Sequence, residues 1–382
     1  MWALVNARLW DGQSVKMERG GLLVDEAGLL QAVEENYQPP TGVPVVDAHG
    51  GWVLPGFIDA HSHVGLSTSG ETLASQDVNE TSDPVTADVR ALDGINPADP
   101  AIYEALRGGV TTAFITMGSA NVISGIGSVV HMAGRTVEEM VMVAAAGMKV
   151  AMGENPIRVH GGQKRRPGSR PAVAAVLREW LERARRYQLE QSTKLSDYNP
   201  RLEALGMVIR GDIPLRIHSH RADDILTALR TIAPFKVRAV IDHGTEADLV
   251  IDEILRYGVP VVTGPSFSAR TKAELRHKGF WTPARLAEAG VVVAIASDHP
   301  VVPSEYLSVY AGVATRHGMS LDDALKAVTI YPAQIVGIQD RVGALTVGRE
   351  ADIVLWSDNP LTALQARAEK IWIGGRLVHD AG

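Results

Sequence analysis

The stretch that decides the reading is residues 53–66, VLPGFIDAHSHVGL. It is apolar as far as Ile58, turns polar within three residues, and then places His61 and His63 with one residue between them. On extended backbone, residues i and i+2 face the same side. A strand that ends in two imidazoles on one side can hold a metal ion there. Taken alone, an H-x-H pair favours that reading only modestly over two ordinary loop histidines.

Working outward, apolar and β-branched runs predict strands at 57–60, 112–117, 126–131, 148–152, 214–218, 237–242, 259–263 and 291–297. Runs such as VRAVI and VVVAIA are nearly continuous, as parallel strands buried on both faces are. Helical patterns fall between many of them. PAVAAVLREWLERARRYQ opens at Pro171, EADLVIDEILRYG stops at Gly258, and SLDDALKAVTI starts from an N-capping Ser320. Eight strands with intervening helices predict an α/β fold of the (β/α)8 barrel type, whose chemistry lies at the C-terminal ends of the strands. At those ends stand Glu154 after MKVAM, His218 and His220 after PLRI, His243 after VRAVID, and Asp298 and His299 after VVVAIAS. With His61 and His63, five strands deliver an imidazole or a carboxylate at one end, a donor set suited to Zn, Mn, Fe or Co.

The chain has 382 residues, 46% of them hydrophobic, enough for a barrel-sized core and something smaller. There is no cysteine, which excludes disulfides and thiolate ligands, so a metal must take N and O donors. The net charge of −7 argues against nucleic acid as a partner. No run is long and apolar enough to span a membrane. The start, MWALVNARLWDG, lacks a signal-peptide pattern, and a cytoplasmic location is expected. Residues 1–54 and 336–382 read as short strands punctuated by Gly, Pro and Asp that pair into one small sheet domain, with the barrel at 55–335. Residues 66–100 form a long polar loop, a lid candidate containing Glu71, Asp77 and Glu80.

LPGFIDAHSH, NPADP…GGVTTAFITMGSAN, GENPIRVHG, IHSHRADD, SDHPVVP and the closing VGALTVGREADIVLWSDNPL together resemble the metal-dependent amidohydrolase superfamily, nearest to the imidazolonepropionase-like amidohydrolases. The resemblance covers nearly the whole chain. It implies a distorted TIM barrel with a small β-sandwich built from both chain ends. It implies His61 and His63 as ligands of the more buried metal, His218 and His243 as ligands of a second, and Asp298 as both ligand and proton shuttle. The bridging position in this superfamily is often a carboxylated lysine. No lysine stands at a predicted strand end here and Glu154 does, so Glu154 is the bridging candidate and the count is one or two divalent ions, Zn first, with Mn, Fe or Co compatible. His220 competes with His218 for one ligand position; the pattern favours His218, with His220 touching substrate or tuning the metal. His243 or His220 is the candidate for stabilising a developing oxyanion.

The loop NPIRVHGGQKRRPGSRP concentrates Arg158, Lys164, Arg165, Arg166 and Arg170. Arg158, nearest to Glu154, is the candidate clamp for a substrate carboxylate or phosphate. Asn121 and His131, around the third strand, are expected to line the pocket. The expected activity is hydrolysis of a C–N bond in a small molecule: an N-acyl amino acid, a dipeptide or a cyclic amide. One alternative is a heterocycle deaminase, for which Glu246 in His243-Gly-Thr-Glu246 would be the helper. Another is a non-catalytic scaffold, which would have lost metal ligands. Homo-oligomers are common in the superfamily.

Overall fold

The computed structural model describes residues 1–70, 72, 76–191 and 198–382; Glu71 lies outside them. The chain opens with five strands, β1 (Trp2–Trp10), β2 (Lys16–Val24), β3 (Leu30–Glu35), β4 (Val45–Asp47) and β5 (Trp52–Pro55). Eight more follow as a second sheet: β6 (Phe57–Ser62), β7 (Val110–Ile115), β8 (Ile123–His131), β9 (Val141–Ala151), β10 (Leu215–Ser219), β11 (Ala239–His243), β12 (Val261–Thr263) and β13 (Val293–Ile295). They lie in chain order. The sheet is nearly closed. At its mouth Asp298 N donates to His61 O and His63 N to His299 O, both at 3.0 Å. Lower down, Ile58 N and Ile295 N donate to Val328 O and Ala327 O. Long helices such as Arg170–Gln191, Pro200–Arg210 and Ala222–Ile232 pack outside. Strands covered on both sides are buried along their whole length, which is why they read as unbroken apolar runs.

The third strand departs from the (β/α)8 expectation. β8 runs antiparallel to both neighbours, with Thr112 opposite His131 and Ile126 opposite Met148. Only residues 116–122 join β7 to β8, and a parallel return needs a crossover of a dozen or more residues. The reversal places Asn121, just before β8, at the mouth. It puts His131, at the end of β8, at the opposite end of the barrel.

Three strands close the chain, β14 (Ile353–Trp356), β15 (Ala368–Ile373) and β16 (Arg376–Asp380). β14 pairs with β5 from Ile353 opposite Pro55 to Trp356 opposite Trp52, and so ties the two ends together. The hydrogen bonding forms one continuous eight-stranded sheet; it does not define two separate sandwich layers. β14 is buried on both faces. Val354 and Trp356 join the barrel-side core, Trp356 lying 5.4 Å from Phe57 between ring centres, while Ile353 and Leu355 join Leu4, Leu22 and Trp372. The described part of 66–100 is a wall, not a free flap: Val85, Ala87 and Ala91 are core residues, and Thr86 N donates to Ile123 O at 2.8 Å. No described helix is long and apolar enough to cross a membrane.

Candidate active site

At the mouth a polar cavity of about 590 Å³ is lined by His63, His218, His220, His243, Asp298 and Lys149, and by Arg158, Lys272, Asn155 and Asn79 from the surrounding loops. A smaller apolar cavity of about 290 Å³, at Leu255, Val259 and Val292, carries no titratable side chain. Strand alternation explains the lining. In β10, Leu215 and Ile217 face the helices, so Arg216 and His218 face inward. The register of β6 shifts between Asp59 and Ser62, which resets the alternation that sends Ile58 and Ala60 inward and brings His61 inward too. His243, the last residue of β11, and Asp298, three residues beyond β13, both lie in the left-handed region, at φ of 73° and 56°. Such a conformation costs a non-glycine residue about 1 kcal/mol or more and clusters at functional sites.

The imidazoles and the carboxylate converge. Asp298 Oδ1 lies 3.3 Å from His63 Nε2 and 3.5 Å from His61 Nε2, and Asp298 Oδ2 lies 3.9 Å from His243 Nδ1. His218 and His243 have ring centres 4.4 Å apart, and His220 is 4.7 Å from His218. Two sets of three donors are compact enough to hold an ion: His61, His243 and Asp298, and His218, His220 and His243. His63 Nδ1 sits 2.6 Å from the Thr116 carbonyl oxygen and His243 Nδ1 2.8 Å from that of Gly264. A carbonyl only accepts, so both rings carry their proton at Nδ1 and keep Nε2 free as a ligand atom. His220 differs: its Nδ1 faces the Thr245 hydroxyl at 2.8 Å, which can donate. Burial keeps the rings of His61, His218, His220 and His243 neutral. It pushes His61 down to about 3 and His243 to about 4, and it holds His218 and His220 well below the usual histidine range, with neighbouring cations adding to it. Burial alone would raise Asp298, but His243, His63 and His61 hold it well below the usual carboxylate range.

Lys149 is the residue that sequence reading passed over. It lies within β9, two residues short of the strand end, and its Nζ reaches to 3.1 Å from His61 Nε2. Met148 and Val150 face the helices, so Lys149 faces the interior, 1% exposed. A lone lysine inside the apolar run that ends β9 was the available signal. Burial pulls it down to about 8, with Asp242 and Asp298 opposing. Below it Arg216 and Asp242, both fully buried, pair at 2.6 Å. Asp242 Oδ2 lies 3.1 Å from His61 Nδ1, off the axis of a good hydrogen bond.

The other expected residues fall as follows. Glu154 heads a helical turn outside the cavity lining, and Glu274 holds its backbone N–H at 2.6 Å; Lys149, not Glu154, stands beside His61. Arg158 lines the cavity and makes no ion pair among the described residues. Of its basic neighbours, Arg166 pairs with Glu179, Arg170 pairs with Asp224 and Glu274, and Arg165 donates to the Thr81 and Ser82 carbonyls. Asn121 lies behind the wall, donating to Thr86 Oγ1 at 2.8 Å and facing His160 Nε2 at 2.8 Å. His131 does not line the pocket; it is 3.3 Å from Asp352 at the far end. Glu246 is also spent elsewhere: Oε2 accepts from Ala222 N at 3.0 Å, and Oε1 lies 2.8 Å from His277 Nδ1. That removes the deaminase helper from the cavity.

The amidohydrolase family model matches residues 52–378. An amidohydrolase structure from Thermotoga maritima is 40% identical, covers all of both chains and superposes with a TM-score of 0.96. The amidohydrolase tasK of Hapsidospora irregularis is 29% identical over 98% of this chain, which spans 43% of that protein's length. The imidazolonepropionase of Salinispora arenicola is 26% identical over 92% of this chain and 89% of its own. With a family model spanning most of its length and relatives of this kind, the chain belongs to the amidohydrolase family, a family of hydrolases acting on C–N bonds, and to its imidazolonepropionase-like branch.

Proposed function

We propose that the protein is a metal-dependent hydrolase that cleaves the C–N bond of a small anionic molecule, an N-acyl amino acid or a dipeptide. The observation that carries this reading is the charge pattern of the cavity. Among the described residues its one acid is Asp298, and beyond the site histidines its other charged groups are Lys149, Arg158 and Lys272. The donor set fits divalent metal: burial keeps His61, His218 and His243 neutral, Nε2 of His63 and His243 is free, and the buried Nδ1 of His218 has no hydrogen-bond partner. His61, His63 and Asp298 would hold one ion, and His218 with His243 a second. Lys149 Nζ lies 3.1 Å from His61 Nε2, and its depressed pKa leaves a fraction of neutral amine at neutral pH, the form that carboxylation needs. Bound there, such ions acidify a water and polarise a carbonyl oxygen.

The chain's own groups do the rest. Asp298, ionised among three imidazoles, takes the water proton at a carboxylate oxygen and passes it to the departing nitrogen. His220 can receive a hydrogen bond from Thr245 at Nδ1 and so present an N–H at Nε2 to a developing oxyanion. This separates it from His218, whose Nε2 lies 3.3 Å from the Asn155 amide nitrogen. Arg158, unpaired and at the mouth, meets the substrate carboxylate. Lys272 Nζ, steadied by Asn155 Oδ1 at 3.3 Å and Glu274 at 3.4 Å, supports it from the opposite loop.

The test is an amine and ammonia release screen on protein loaded with Zn or Mn, pairing each N-acyl amino acid or dipeptide with its neutral amide and including aminated heterocycles. Amine release biased toward the carboxylate-bearing partner supports the reading. Ammonia release from heterocycles alone overturns it.

A further inference from the structure

The far end of the barrel carries a second convergence of ligand-type side chains, unrelated to the mouth. His131 ends β8, and Glu350 and Asp352 lie on the segment that leads into β14. His131 Nε2 is 3.3 Å from Asp352 Oδ2 and 3.9 Å from Glu350 Oε2, and the three donor atoms all lie within 4.8 Å of one another. At 3.3 Å a simple hydrogen bond between imidazole and carboxylate would be expected, yet none forms: His131 Nε2 and Asp352 Oδ2 are both buried atoms without a hydrogen-bond partner. Asp352 is 3% exposed. Leaving a buried carboxylate oxygen unsatisfied costs about 1–3 kcal/mol or more, so atoms that lie within 4.8 Å of one another without bonding call for a third group at their centre.

The remaining contacts leave that centre open. Asp352 Oδ1 accepts from Gly374 N at 2.8 Å, and Glu350 Oε1 takes Arg341 Nε at 2.6 Å. Each carboxylate thus keeps one oxygen free toward His131. Two carboxylates and one guanidinium leave a net charge of −1 beside the imidazole, which favours a dication over an anion. Glu350 and His131 are partly exposed, with side chains 22% and 15% accessible, so solvent can complete the coordination.

We infer that His131, Glu350 and Asp352 form a structural site for a divalent cation of the Zn, Mn or Co class, one imidazole and two carboxylates being a borderline-to-hard donor set. The ion would fasten the reversed strand β8 to the sheet made by the chain ends, across a junction where the barrel otherwise meets that sheet mainly through apolar packing. Its role is in stability, and the mouth chemistry does not depend on it.

The experiment uses chelator-stripped full-length protein dialysed against Zn2+, with zinc counted per chain by elemental mass spectrometry. Wild type should retain one more ion per chain than His131→Gln or Glu350→Gln, and zinc should raise the Tm of wild type by more than that of either variant. Turnover of the fully loaded variants should stay within about twofold of wild type, because substitutions away from the mouth leave its ligands in place. Hydrogen exchange on wild type alone gives a reading that needs no variant: zinc should slow exchange at residues 128–132 and 350–354. Equal zinc content and equal Tm shifts in all three proteins, or no zinc-dependent protection in those two segments, overturn the proposal and leave His131 and Asp352 as an ion pair only.

Discussion

Arg216 lies at the base of the site and offers a sharp test of how the barrel interior supports the histidines above it. Its guanidinium is fully buried, pairs with Asp242 at 2.6 Å, donates to the Ala60 carbonyl at 2.7 Å, and stacks 4.1 Å from the centre of the Phe114 ring. Burial would raise Asp242, but Arg216 and then His61 hold it well below the usual carboxylate range. Arg216→Met removes the first of these partners and leaves a buried carboxylate facing only His61 at 3.1 Å and Lys149 at 3.9 Å. Breaking one side of a buried pair costs ~3–5 kcal/mol; the two remaining partners place the loss toward the lower end. At ~2.1 cal/mol/K of unfolding entropy per residue, 382 residues give about 0.8 kcal/mol/K, so ~3 kcal/mol is a fall of about 4 °C in Tm.

The double variant Arg216→Met, Asp242→Leu should recover most of that fall, because an apolar pair of similar volume replaces the ion pair at little or no net cost. Lys149 then loses Asp242 and answers by shedding its proton, its pKa dropping below about 8. Zinc affinity should not recover with stability. His61 has lost the carboxylate beside its Nδ1, and such partners are worth about 10- to 100-fold in metal affinity. The assay is thermal denaturation of chelated protein alongside competition titration of zinc. A single variant that melts within about 1 °C of wild type, or a double variant with wild-type zinc affinity, refutes the reasoning.

Asp298→Asn should keep the fold and lose about 10²- to 10⁴-fold in turnover, measured on metal-loaded protein, because the amide cannot carry the proton. Arg158→Ala and Lys272→Ala should each raise KM for carboxylate-bearing substrates and leave the neutral amides unaffected; equal effects on both would remove the clamp. Chelated protein should lose stability in urea as the pH falls from about 6.5 toward 4. In that window the unfolded chain binds protons that His243, held down to about 4, and His61, held down to about 3, still refuse, so stability rises with pH there. Gly147→Ala should destabilise by about 1–3 kcal/mol, read from the same denaturation curves, because the added carbon would lie 2.7 Å from Arg216 Cγ.

Much of the site was legible from local pattern. His61, His63, His218, His243 and Asp298 each follow an apolar run, and a strand end in a parallel barrel is where a polar residue meets the cavity, so period and position together placed them at the mouth. Lys149 escaped that reasoning because a long side chain reaches the cavity from two residues inside its strand; only the inward parity set by Met148 and Val150 reveals it. Glu154 was misleading for the converse reason: it follows β9 in sequence, but the turn beginning there carries its side chain out of the lining.

The sequence by itself determined the alternation of buried strands and amphipathic helices, because burial on one or both faces writes a period into the residues. It also determined that any metal site uses nitrogen and oxygen donors. Strand direction was decided only in three dimensions: β8 looks like its neighbours in composition, and its reversal follows from a connection too short for a crossover. That one reversal sent His131 to the far end of the barrel, beside Glu350 and Asp352, more than two hundred residues later in the chain. Tertiary structure likewise assigned protons: whether a histidine faces a carbonyl, as His63 and His243 do, or a hydroxyl, as His220 does, depends on which strand end lies beside it. Local pattern records what a residue must bury, whereas the partner that completes its hydrogen bonds comes from elsewhere in the fold.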